Sequence, residues 1–146
     1  MAVTAFVYSQ IMGTAFDEEI DILADTLKVL LATSSHTPDQ DADDYHADVD
    51  NEVANGNGYT TGGETLGSVT FAYTAGTNTW AHDAADTSWA SSSFTARYAI
   101  EYDSTPGSSA TNPLMSFQNF GGDFTTSSGT FTVAWNASGL WTITIS

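Results

Sequence analysis

Two periods of hydrophobic positions divide the chain. From Thr4 to Phe16 the apolar residues Phe6, Val7, Ile11, Met12 and Ala15 recur at roughly helical spacing, with Thr4 as an N-cap candidate and Gly13 as a weak point inside. The spacing predicts one short amphipathic helix. Asp17-Glu18-Glu19-Ile20-Asp21 interrupts it, and Thr26 to Thr33 is a nearly continuous apolar run of strand length, the pattern of a strand buried on both faces. Ser34 to Gly63 is polar and rich in Asp, Asn and Gly, with Pro38, Asn55-Gly56 and Asn57-Gly58 as turn signals. A structureless loop of that length is uncommon, so a helical turn or short strand is expected between Tyr45 and Val53.

After Gly63 the period becomes two. Val69, Phe71 and Tyr73 alternate with Ser68, Thr70 and Ala72, and Tyr98, Ile100 and Tyr102 alternate with Arg97, Ala99 and Glu101, each reading as a half-buried strand. Phe131, Val133 and Trp135, then Trp141, Ile143 and Ile145, flank the turn Asn136 to Gly139 and predict a C-terminal hairpin. Thr79–His82, Thr87–Ala90 and Leu114–Asn119 are shorter strand candidates. Seven or eight strands separated by Gly, Asn, Asp, Ser and Pro define the expected class. It is a mainly β single domain spanning 1–146, an antiparallel β-sandwich, jelly-roll-like fold or barrel, with one short N-terminal helix.

Composition supports folding. The chain is 41% hydrophobic with eighteen aromatic residues, and a domain of this length buries roughly 68–70% of its unfolded surface. It has no cysteine, so neither disulfides nor thiolate metal sites hold it together. The first residues lack a basic region and an apolar run of signal-peptide length, and no segment approaches the ~20 apolar residues of a membrane helix. A soluble product made in a cytoplasm is expected.

Charge narrows the partners. Lys28 and Arg97 face eighteen carboxyl groups, a formal charge of -16, and both nucleic acids and anionic membranes demand cations that this chain lacks. Neither is expected as a partner. The acids crowd into Asp17–Asp25 and Asp39–Glu52, which suggests an N-terminal half that faces solvent or a basic patch on a partner, and a C-terminal half that supplies the fold.

No residue set announces a reaction. A calcium loop starting at Asp39 would place Asp44 where glycine is needed and Asp50 where a bidentate glutamate is preferred, so Asp39–Glu52 reads as a solvated loop. His36, His46 and His82 lack zinc-site spacing and read as loop histidines. The neighbouring pairs Glu18/Glu19 and Asp43/Asp44 have no flanking apolar pocket for acid catalysis, and no nucleophile elbow or phosphate loop is present. Catalytic, cofactor and metal sites are therefore not expected. Trp135 and Trp141 fall on the apolar face of the expected hairpin. Trp80 and Trp89 flank the polar turn Asp83–Asp86, and together with Phe6 and Tyr8 of the N-terminal segment they are the candidate interface or glycan contacts.

Ala5-Phe6-Val7-Tyr8 through Ile20-Asp21, Asp25 to Leu31, Ser34 to Asp39, Asn51-Glu52-Val53 and Gly58-Tyr59-Thr60-Thr61-Gly62-Gly63 resemble small structural proteins of tailed bacteriophages. The similarity continues through Ala96-Arg97-Tyr98 and Tyr102-Asp103 and covers most of the chain. It is a pattern of folding residues and carries no catalytic motif. The resemblance implies a non-enzymatic virion component, a capsid decoration or cement protein on the head exterior. Its expected partners are the major capsid protein or other virion proteins, and its own copies in a homo-oligomer, with a trimer as the expected form. A tail or fibre component, or a glycan-binding adhesion module, is the alternative.

Overall fold

A computed structural model describes residues 3–146. The chain is mainly β and entirely antiparallel in its strand pairing. A five-stranded sheet takes the order β1 (Thr4–Val7), β8 (Leu114–Thr125), β7 (Thr95–Asp103), β2 (Leu27–Ala32), β3 (Glu64–Thr65). A three-stranded sheet is ordered β10 (Trp141–Thr144), β5 (Thr79–Asp83), β4 (Thr70–Thr74), and β6 (Thr87–Ser92) pairs with β9 (Gly129–Val133). The sheets do not close into a barrel, and their packing is sandwich-like.

β2 explains the core. Leu27, Val29 and Leu31 enter the larger hydrophobic cluster with Ala99, Met115, Trp89, Phe131 and Trp141, which joins the five-stranded sheet to the two smaller ones. Leu30 and Ala32 point the other way, into a second cluster with Tyr8, Ile100, Tyr102, Leu114 and Phe117. The strand is thus buried on both faces, as its continuous apolar run predicts. The same two-sided burial corrects the half-buried reading of β7, where Ala99 and Glu101 are as buried as Ile100 and Tyr102. Its second face is covered by the acidic segment, which contributes Val49. That segment is tied down by bonds from Ser9 N to Gln40 O (2.9 Å), His46 N to Asn112 O (2.9 Å) and Leu114 N to Asp44 O (2.9 Å). The N-terminal half therefore supplies a central strand and a cover for the core, contrary to the regional division that charge suggested.

Two further expectations are overturned. Thr4–Val7 is a strand, registered Thr4 to Asn119 and Val7 to Ser116, with Phe6 stacked on Phe117 at 5.0 Å. Branched and aromatic residues suit that pairing, which leaves only α1 (Ile11–Phe16) as helix, with Thr4 outside it and no side-chain cap. The C-terminal hairpin does not form either. The turn exists, with Gly139 N bonded to Asn136 O at 2.8 Å, but Trp135 N is held by Asp86 Oδ1 at 3.0 Å while Leu140 N reaches His82 O at 2.8 Å. β9 and β10 leave the turn into different sheets. A 3₁₀ turn at His46–Asp48 meets the expectation for the middle of the polar segment.

Candidate assembly surface

α1 buries Ile11 alone, and Met12 and Phe16, one helical turn apart, both lie exposed. Phe16 is 79% exposed and Leu23 66%, which is unusual for side chains this large and apolar. Beyond the helix, Ala15, Ile20, Ile22 and Leu23 form an open groove of about 610 Å³ with Phe71 of β4, and Glu18 and Asp21 stand at its rim. The loop that shapes it is built by Asp21, whose Oδ1 accepts from Leu23 N (3.1 Å) and Ala24 N (3.2 Å).

Phe71 links this groove to the tryptophan singled out in the sequence. Its ring stacks on Trp80 at 4.8 Å, and Tyr73 lies 5.3 Å from Trp80 on the same sheet face. Trp80 is half-buried, and Tyr73 is exposed with its hydroxyl donating to Asn78 Oδ1 at 2.9 Å. Groove and aromatic ladder make one apolar band with carboxyl groups beside it. Arg97 is far away in sequence terms and pairs Asp123 at 3.7 Å; Lys28 has no ion pair among the described residues.

The other contact candidates separate. Phe6 remains partly exposed on β1. Tyr8 is only 1% exposed, and burial, with Asp43 nearby, pushes its phenol well above the ordinary range. Trp89 is likewise 1% exposed, packed between Tyr59 and Phe131, so it belongs to the core and offers no platform. The polar turn beside it does not expose it, because β6 turns that side chain inward against β9. Trp141 is buried as expected, while Trp135 is half-buried and bonds Ala85 O through Nε1 at 3.0 Å.

Two polar constellations escape sequence reading. Glu101 and Ser116 face each other across β7 and β8, His82 and Trp141 across β5 and β10. The two pairs meet between the sheets: Glu101 Oε1 lies 2.5 Å from His82 Nε2, and Oε2 accepts from Ser116 Oγ (2.7 Å) and Trp141 Nε1 (3.1 Å). His82 is a strand residue with no exposure, not a loop histidine. Serine and imidazole both address the carboxyl group rather than each other, so no nucleophile–base bond is formed. The group is sealed from solvent and acts as a polar rivet between sheets. No spacing in the sequence signals it, because its members come from four strands.

The second centre is Glu52. Its Oε1 accepts from Tyr59 Oη (2.7 Å) and Gly62 N (2.6 Å), and His46 Nε2 lies 3.6 Å from Oε2. Burial alone would raise its pKa, but the bonds from His46, Tyr59 and Gly62 outweigh burial and hold it below the usual carboxyl range. Tyr59 Oη also accepts from Leu31 N at 3.0 Å, and Tyr102 Oη donates to Gly62 O at 2.8 Å. Glu52 thereby fastens the Gly-Tyr-Thr-Thr-Gly-Gly turn to β2. His36, a loop residue, is buried against Tyr98, and burial lowers its pKa against the opposing pull of Asp43 and Asp50. Among the described residues no three His, Asp or Glu side chains converge as a metal cluster, and no helix is long and apolar enough to cross a membrane.

No family model, curated protein or solved structure matches the chain.

Proposed function

We propose that this chain is a non-enzymatic structural protein of a tailed-phage virion, a capsid decoration or cement protein that stabilises the head through subunit packing. The observation that carries the reading is the exposure of Met12, Phe16 and Leu23, together with the open groove that Ile20, Ile22 and Leu23 form with the half-buried Phe71. Exposed apolar surface of this kind is what assembly contacts bury, and the carboxyl groups beside it favour a basic rim on the partner. The sequence resemblance supplies the virion context. In this reading the partners are the major capsid protein and further copies of the chain, arranged with closed cyclic symmetry, a trimer in the expected case.

The inward use of the histidines also supports a packing role, since His36 and His82 are enclosed and His46 serves Glu52. A Phe16→Ser, Leu23→Ser double variant tests the reading. It should keep the wild-type unfolding midpoint yet fail to bind particles that lack the protein, and those particles should lose resistance to heat or low salt. Copies confined to the tail, or particles whose stability is unchanged by the protein, would sink decoration and favour the adhesive alternative.

A further inference from the structure

The sandwich stays open along one side. β1 is the last strand of the five-stranded sheet there, and it lies against β10, the last strand of the three-stranded one. Its register pairs Ala5 with Gln118 and Val7 with Ser116, which turns Ala5 and Val7 toward the space between the sheets. Positions of that kind are normally covered, yet Ala5 is exposed and Val7 only half-buried. Two adjoining hollows fill the gap, about 310 Å³ between β8 and β9 and about 610 Å³ between β1 and the chain entering β10. Val3, Gln118 and Ala134 line both, and Gln118 Nε2 donates to Leu140 O across them at 3.1 Å. Val3 is exposed at the mouth, as is Phe124 of β8, although its ring packs edge-on to Phe120 at 6.0 Å.

We propose that this open side is where copies of the chain meet one another. Charge selects that occupant. No residue lining either hollow is charged, in a chain whose formal charge is -16. Two carboxyl groups adjoin the lining, and both are engaged: Asp86 with Trp135 N at 3.0 Å and Asp123 with Arg97 at 3.7 Å. Two copies repel wherever their acidic segments approach, so they come together most readily through a neutral surface. A basic partner has the opposite preference and is drawn to the acids, as at the groove beside Phe16 and Leu23. The strand edges agree with the charge. Thr4-Ala5-Phe6-Val7 and Trp141-Thr142-Ile143-Thr144 carry neither charge nor proline, the usual guards against edge pairing. The far edge of the five-stranded sheet is guarded, because β3 is two residues long and carries the exposed Glu64. A second copy laid against the open side covers Val3, Ala5 and Phe124 and offers strand partners to β1 and β10. The inference rests on the proposed function only for assigning the Phe16 groove to another protein; the contact between copies requires no virion.

Sedimentation of the purified full chain at low and high sodium chloride tests the contact. The wild type should run as a multiple of the monomer mass, and salt should tighten the association, since it screens the repulsion between acidic bodies and leaves apolar burial intact. A Val3→Asp, Phe124→Asp double variant and a separate Ala5→Asp variant each place like charges face to face, and each should weaken association by about 100-fold or more. Phe16→Ser with Leu23→Ser should keep the wild-type mass. Amide exchange of the unaltered chain, compared at dilute and concentrated protein, should show protection gained in β1 and β10, a readout that does not depend on any variant folding. A wild type that is monomeric at both salts overturns the proposal, and so does association that salt dissolves. An oligomer that survives the charged variants, or is lost with Phe16 and Leu23, overturns it as well, as does protection gained away from β1 and β10. Particle binding by the Phe16→Ser, Leu23→Ser variant judges the virion reading separately, so the two fail by different measurements.

Discussion

Truncating Glu101 to alanine removes the one acceptor shared by His82, Ser116 and Trp141 at the meeting of two sheets. All of these side chains are buried, so water cannot replace the lost partner without opening the core. A buried donor left without an acceptor costs about 1–3 kcal/mol. The Ser116 hydroxyl can rotate toward another acceptor, but the indole and imidazole are held by their rings, which leaves two firm losses. Adding the space vacated by the carboxyl group, the expected destabilisation is about 3–6 kcal/mol, a large part of the 5–15 kcal/mol that ordinary domains possess. Urea unfolding followed by tryptophan fluorescence reads this directly, because Trp141 is itself a partner; the midpoint should fall while the slope stays constant. Replacing the polar set together, with Glu101→Leu and His82→Leu, should recover part of the loss, since apolar groups of similar volume often substitute for a buried polar pair. A loss below about 1 kcal/mol for Glu101→Ala would refute the idea that this rivet holds the sheets together.

Asp103 sets a pH dependence of definite sign. Burial raises its folded pKa above the unfolded value of about 3.9, so its contribution to stability is complete below that value and is lost as pH climbs through the folded pKa. Asp103→Asn should therefore be more stable than wild type at neutral pH and lose that advantage near pH 4, as urea midpoints across pH would show. Glu52 carries the opposite sign: its depressed pKa contributes stability at neutral pH that disappears on acidification, and Glu52→Gln should flatten that acid limb. Tyr59→Phe strips a partner from Leu31 N and from Glu52, with an expected loss of about 2 kcal/mol by chemical unfolding. Gly63 has φ +67°, and a Cβ there would run into the Val29 carbonyl, so Gly63→Ala should lose more than about 2 kcal/mol, visible as a lowered midpoint.

Local pattern was enough to place most strands. The apolar run at Thr26–Thr33 and the alternations around Tyr98–Tyr102 and Phe131–Val133 all became strands, because side-chain period and turn residues act within a few positions of one another. The mainly antiparallel β class follows from their number and spacing. Partner choice is a different matter, since it depends on surfaces far apart in the chain. Asn136–Gly139 is a sound turn, yet β9 finds β6 and β10 finds β5, where Trp141 can reach Phe71, His82 and Glu101. The same limit applies to burial of the tryptophans: Trp80 and Trp89 flank one turn, but only Trp89 has Tyr59 and Phe131 waiting for it. Thr4–Val7 shares its apolar spacing with a helix, and the open edge of β8 made it a strand. Composition established the excess of carboxyl groups over two cations; folding decided that some of those carboxyls, Glu52, Glu101 and Asp103, would be buried and used to join elements. Charge is a sum over residues and survives any rearrangement, whereas burial and hydrogen bonding belong to pairs that meet only when the sheets pack.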